Sequence, residues 1–178
     1  MKLTENDLEF DFTGSVDAFI FDDGGTHANS SIQPVDFIVE YEDKYRFVEV
    51  KDPDDPASVN IPAFREKLKS GKLIRSLAGK YRDSLFFRTC QGKQQKHIEY
   101  IVLLSMSALD DALLLAKQEE LHRSIPISHK SWLQNSATVC IILNMTQWKK
   151  RFGGDSIRRL SASVPTGANP NTTNGTTN

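Results

Sequence analysis

Residues 33–53, QPVDFIVEYEDKYRFVEVKDP, constrain the fold more than any other stretch, because they read as two apolar strands joined by a polar cluster of turn length. Residues 35–41 and 45–50 are rich in Val, Ile, Phe and Tyr, and Glu42-Asp43-Lys44 lies between them as a hairpin turn. Side chains alternate faces along a strand, so Glu49 and Lys51 project to the same side. A two-residue loop at Glu42-Asp43 sets Asp36 opposite Glu49, whereas a four-residue loop over residues 42–45 sets it opposite Lys51. With either loop, Asp36, Glu49 and Lys51 share one face.

Two carboxylates and a lysine are costly to gather beside a core, since unpaired charges resist burial and like charges repel. A divalent cation relieves that cost. Oxygen ligands from Asp36, Glu49 and the carbonyl of Val50 suit Mg²⁺ or Mn²⁺, hard ions that keep several waters and bind phosphate oxygens. Lys51 then stands where it can orient a hydrolytic water or offset negative charge growing on a phosphorus centre. The plainer reading of the same residues is an edge hairpin with a surface salt bridge.

With 178 residues, 39% hydrophobic and 25% charged, the chain suits one globular domain over residues 1–160 and a tail. From residue 161 onward Ser, Thr, Asn, Gly and Pro dominate without apolar periodicity, which predicts a disordered segment over 161–178. The longest apolar runs, near Ile101 and Val139, are shorter than a membrane span, and no signal-peptide core follows Met1. Cys90 and Cys140 are too few for a zinc site or a disulfide framework, so a cytoplasmic protein with reduced thiols and no membrane partner is expected.

Charge is unevenly spread. Residues 1–60 are strongly acidic and residues 64–96 strongly basic, although the formal net charge is only -1. Leu73, Leu77, Tyr81 and Leu85 recur every four residues, so residues 72–87 read as an amphipathic helix with Lys72, Arg75, Lys80 and Arg82 on its other face. That face either tracks a phosphate backbone or is a solvated surface balancing the acidic half.

In chain order, residues 4–10 read as a short helix capped by Thr4, with Leu3, Leu8 and Phe10 inward. Residues 16–21 form a first strand ended by Asp22-Asp23-Gly24-Gly25, a hydrated turn in preference to a ligand pair, and the hairpin follows. Residues 64–69 form a helix before the basic one, after prolines that cannot continue a sheet. Residues 97–106 are a strand apolar on both faces. A helix capped by Ser107 runs to about 123 with Leu109, Leu113, Ala116 and Leu121 inward; a strand over 137–145 and a short helix or turn over 146–152 complete the domain.

Pro34-Val35-Asp36 followed by Glu49-Val50-Lys51 resembles the PD-(D/E)xK motif of the restriction-endonuclease-like nuclease superfamily, with Val35 inserted between the proline and the acid. The element order also resembles that superfamily's αβββαβ core, a central mixed sheet flanked by helices, here with an added helix and strand. The resemblance implies a Mg²⁺- or Mn²⁺-dependent phosphodiesterase acting on nucleic acid, DNA above RNA. Asp36, Glu49 and the Val50 carbonyl would hold the metal, Lys51 would assist the attacking water, and Lys72, Arg75, Lys80 and Arg82 would hold the backbone. Many relatives add a carboxylate from the first helix, which by position is Glu5 or Glu9, Glu9 being nearer the helix end. Cutting both strands of a duplex usually takes two sites, which makes a homodimer plausible.

The alternative from another class is a fold-retaining module that binds nucleic acid or a partner protein without cleaving. Other chemistries find no residues to carry them: the four histidines show no metal spacing, and neither a nucleophile elbow nor a phosphate-binding loop is present.

Overall fold

The computed structural model describes residues 1–27 and 30–163. The chain opens with a β-hairpin, β1 (Lys2–Glu5) and β2 (Leu8–Asp11), where the sequence predicts a helix over 4–10. The reason is a period of two. Leu8, Phe10 and Phe12 are buried while Glu9 and Asp11 stay partly exposed, an alternation a strand satisfies and a helix scatters around its axis. Asn6 makes the turn at φ 50°, a left-handed conformation that asparagine tolerates.

Five strands form the central sheet in the order β3-β4-β5-β6-β7. β3 (Asp17–Ile20), β4 (Phe37–Glu40) and β5 (Lys44–Lys51) are antiparallel; β6 (His97–Leu104) and β7 (Val139–Leu143) continue parallel to β5. Two helices fill the crossover from β5 to β6: α1 (Ile61–Lys69), capped by the Asn60 side chain, and α2 (Lys72–Cys90). The crossover from β6 to β7 is α3 (Asp111–Ser124). The outcome is the α/β architecture expected, a mixed sheet flanked by helices.

Each sheet face has its own core. Phe47, Tyr100, Val102 and Ile142 pack under Leu77 and Tyr81 of α2 and Leu121 of α3. Phe37, Val48, Val50, Ile101 and Leu103 pack on the opposite side against Phe10, Ile157 and Trp148. Trp148 belongs to α4 (Met145–Phe152), and Ile157 to β8 (Ile157–Arg159), which pairs with β2 to make a second, three-stranded sheet. Burial on both faces explains why β6 is a nearly continuous apolar run from Tyr100 to Leu104, whereas β5 carries Arg46 and Glu49 into the buried sheet as paired charges.

α3 departs from its expected limits. Asp110, not Ser107, is its cap, accepting the Leu113 N–H at 2.7 Å. The Ser107 N–H is drawn instead to Asp54, at 2.6 Å. That start turns Leu114 and Leu121 inward and leaves Leu113 and Ala116 exposed. Ser161–Ser163 form a 3-10 turn in which Ser161 bonds to Asp7; from residue 164 on, the tail expected over 161–178 lies outside the described residues. Among the described residues no helix is long and apolar enough to cross a membrane.

Candidate active site

The β4–β5 hairpin closes through Glu42-Asp43, the Tyr41 N–H donating to the Lys44 carbonyl at 2.8 Å. Glu40 therefore faces Tyr45 and Phe37 faces Val48. One residue further along that register, Asp36 comes across from Glu49, the two-residue arrangement of those the sequence allows. Ile38 and Phe47 lie in the core beneath the helices, so Asp36, Glu49 and Lys51, of the same parity, face α2.

Asp36 is fixed by its neighbour strand. Its Oδ2 accepts the buried Val50 N–H at 2.6 Å, and its Oδ1 lies 3.5 Å from Lys80 Nζ. The Glu49 side chain is wholly buried, at 0% exposure, with Oε1 2.5 Å from Lys51 Nζ and 3.0 Å from Lys80 Nζ. Glu49 Oε2 is buried and has no hydrogen-bond partner among the described residues. Burial pushes the Glu49 carboxyl up to about 7; Lys51 and Lys80 pull it down and Asp36 adds to the rise. Lys51 also donates to the Val50 carbonyl at 3.1 Å, and its side chain keeps 27% exposure.

A cavity of about 210 Å³ opens over this cluster, lined by Asp36, Val50, Lys51 and Asp52 from the sheet, by Glu5 and Asn6 of the N-terminal hairpin, and by Phe64 of α1. Of the two carboxylates the first element offers, Glu5 is therefore the one brought to the site. Burial foremost, then repulsion by Asp36, raises the Glu5 carboxyl above its ordinary range. Glu9 is held elsewhere, on Arg158 Nε at 2.8 Å and Lys2 Nζ at 3.0 Å, and these hydrogen bonds lower its carboxyl. The hairpin separates them: Glu5 and Glu9 sit on different strands, and Glu9 pairs with Thr4.

Lys80 departs most from its expected place. Lys72, Arg75 and Arg82 are exposed on α2, as a phosphate-facing surface requires, but Lys80 points into the acid cluster. Its amine lies within 3.5 Å of Glu49, Asp36 and Asp22. Burial works against that charge and the three carboxylates outweigh it, holding the amine above the ordinary lysine range. A signal is present in the helical spacing: Leu73, Leu77, Lys80 and Ser84 fall at i, i+4, i+7 and i+11, the buried stripe of the helix. Asp22 thereby joins the rim of the site, while Asp23 holds its own turn by accepting from Thr26.

A further network locks the end of β5. Asp52, next to Lys51, takes two bonds from the Arg159 guanidinium, at 2.9 and 2.8 Å, and Arg159 also bonds Asp7 and Ser105. The Ser105 N–H donates to the Lys51 carbonyl at 2.8 Å. β8 is three residues long, too short for any periodicity to announce it.

Among the described residues no three His, Cys, Asp or Glu side chains are arranged to hold a metal ion. The donors present still fit a hard cation. They are all oxygens, two carboxylates and a backbone carbonyl, and one carboxylate oxygen is buried without a partner among the described residues, a state native structures rarely leave unexplained. Mg²⁺ in particular needs few protein ligands and fills its shell with water and phosphate oxygens.

No family model matches the chain, and no curated protein matches it. Among solved structures it is similar to the small subunit of the heterodimeric restriction endonuclease R.BspD6I, at 15% identity and a TM-score of 0.40. The match covers 80% of this chain and 62% of that subunit.

Proposed function

We propose that the protein is a Mg²⁺- or Mn²⁺-dependent phosphodiesterase acting on nucleic acid, with DNA as the substrate class. The observation that carries this reading is the fully buried Glu49, its Oε2 unpartnered among the described residues, beside Asp36 and Lys51, which line an open cavity. Asp36, Glu49 and the Val50 carbonyl would hold the ion, which supplies a Lewis acid for the phosphoryl oxygens and a water of lowered pKa.

The chain's own residues supply position and charge. Asp36, tied to the Val50 N–H, fixes the two strand ends relative to each other. Lys51, partly exposed at the cavity, offers a cation to the attacking water and to the phosphorane charge. The Asp52–Arg159 pair anchors the backbone from which Lys51 projects. Lys72, Arg75 and Arg82 give the phosphate backbone a surface on α2, and Glu5, not Glu9, is the additional carboxylate at the cavity.

One observation favours the non-cleaving alternative: Lys80 already gives Asp36 and Glu49 a counter-ion. Nicking of supercoiled plasmid in Mg²⁺, with chelator and with Asp36→Asn as controls, separates the two. The nuclease reading requires nicking that chelator and the substitution both abolish; binding to plasmid without nicking supports the module.

A further inference from the structure

Lys80 stands on a helix that is pinned on either side of it. Tyr100 donates its hydroxyl to the Leu77 carbonyl at 3.0 Å, and Ser84 Oγ accepts the Val35 N–H at 2.9 Å. The backbone at Lys80 is thus fixed over the acid pair, and any movement of its charge belongs to the side chain. Its amine lies 3.0 Å from Glu49 Oε1 and 3.5 Å from Asp36 Oδ1 on the inner side, and 3.3 Å from Asp22 Oδ2 on the outer side. The Asp22 side chain is 47% exposed, whereas Glu49 is fully buried, so the amine sits between a buried carboxylate pair and a solvated carboxylate.

Charge counting gives this placement a consequence. With Glu49 ionised, Asp36 and Glu49 are balanced by Lys51 and Lys80, and the inner cluster is neutral. A divalent ion on the same two carboxylates would face an ammonium within a few ångströms. At about 4 Å and an effective dielectric constant of about 20, unit charges already interact by some 4 kcal/mol, and the ion carries two. The ammonium and the ion therefore do not share the pair at full strength.

We propose that Lys80 is an exchangeable counter-ion. Its ammonium occupies the Asp36–Glu49 pair while no metal is bound, yields that pair when a divalent ion enters, and withdraws to Asp22. This rests on the metal-dependent reading above and makes Lys80 a positioning residue, in place of the phosphate-binding role expected of a basic residue on this helix. A carboxylate pair with a resident cation stays assembled without metal, and Asp22 provides the withdrawn amine with a partner.

The test uses the full chain, stripped with chelator and titrated with Mn²⁺. Lys80→Met should melt below wild type in chelator and gain more from saturating Mn²⁺, and its Mn²⁺ affinity should exceed wild type by about tenfold, an ordinary size for coupling between two ligands. Equal or weaker Mn²⁺ affinity in Lys80→Met, or equal Mn²⁺-induced rises in Tm, overturns the proposal. A second measurement needs no variant: amine-reactive labelling of the wild type, read by mass spectrometry. Lys80 should be protected in chelator and become several-fold more reactive in Mn²⁺; unchanged labelling overturns the exchange. Mn²⁺ binding without any DNA cleavage would defeat the nuclease reading and leave the exchange standing, while absence of Mn²⁺ binding would defeat both.

Discussion

Glu49→Gln isolates the most perturbed acid of the cluster, and its effect can be worked from the structure. Burial raises the Glu49 carboxyl from 4.5 to about 7. Between those values the folded protein holds a proton that the unfolded chain has released, so unfolding releases a proton and becomes easier as pH rises. The native state is therefore favoured by this group at pH 4.5 and below, loses stability as pH climbs toward 7, and levels off above. At about 1.4 kcal/mol for each factor of ten in proton affinity, the loss is about 3 kcal/mol. Glutamine keeps the shape and cannot titrate. In chelator, urea denaturation at pH 5, 6, 7 and 8 should show wild type losing stability relative to Glu49→Gln, by roughly 1 to 2 M in midpoint for a urea slope of about 2 kcal/mol/M. Carboxylates that neither touch Glu49 nor share its lysines are common to both proteins and cancel in the difference. Parallel pH profiles for the two proteins would refute the claim that Glu49 is buried at the expense of its charge.

Two further outcomes follow from the same geometry. Replacing Lys72, Arg75 and Arg82 together by alanine should lower the slope of log affinity against log salt by about 0.9 for each duplex phosphate that these side chains neutralise, measured in Ca²⁺; an unchanged slope removes α2 from the nucleic-acid surface. Arg159→Met leaves Asp52, whose side chain is 1% exposed, without its bidentate partner and should cost about 3 kcal/mol by urea denaturation; a cost under about 1 kcal/mol would mean the network does not hold the end of β5.

The hairpin is legible in the sequence because it is local: its turn residues, its strands and its three charged side chains lie within residues 33–53, and alternation alone puts Asp36, Glu49 and Lys51 on one face. Only the choice of loop, and so the facing of Asp36 and Glu49, needs coordinates. The N-terminal hairpin is hidden because Thr4, Glu5 and Asp7 resemble a helix start, a local signal outweighed by the burial of Leu8, Phe10 and Phe12 against Phe37 and Trp148. That exchange of helix for strands also decides which carboxylate arrives, Glu5 instead of Glu9. Charge places Lys80 on the solvated face, when its position on the buried stripe of α2 is the better guide. Its partners come from residues 22, 36 and 49, neighbours that no window on α2 contains. The Asp52–Arg159 pair is out of reach for the same reason, since 107 residues separate its members.

Whether Asp36, Glu49 and Lys51 form a hydrolytic site is decided by single-turnover cleavage of a DNA duplex by wild type and Lys51→Ala. Removal of Lys51 takes one of two ammonium partners from the buried Glu49 and should lower stability in chelator, but the Lys51 side chain is partly exposed and the affinity for DNA in Ca²⁺ should stay close to wild type. In Mg²⁺ the wild type should cleave, and Lys51→Ala should be slower by about a hundredfold or more, the usual effect of removing one group that stabilises transition-state charge. Equal rates for the two proteins, or no cleavage by the wild type at any Mg²⁺ or Mn²⁺ concentration, would mean that these three residues do not form a hydrolytic site.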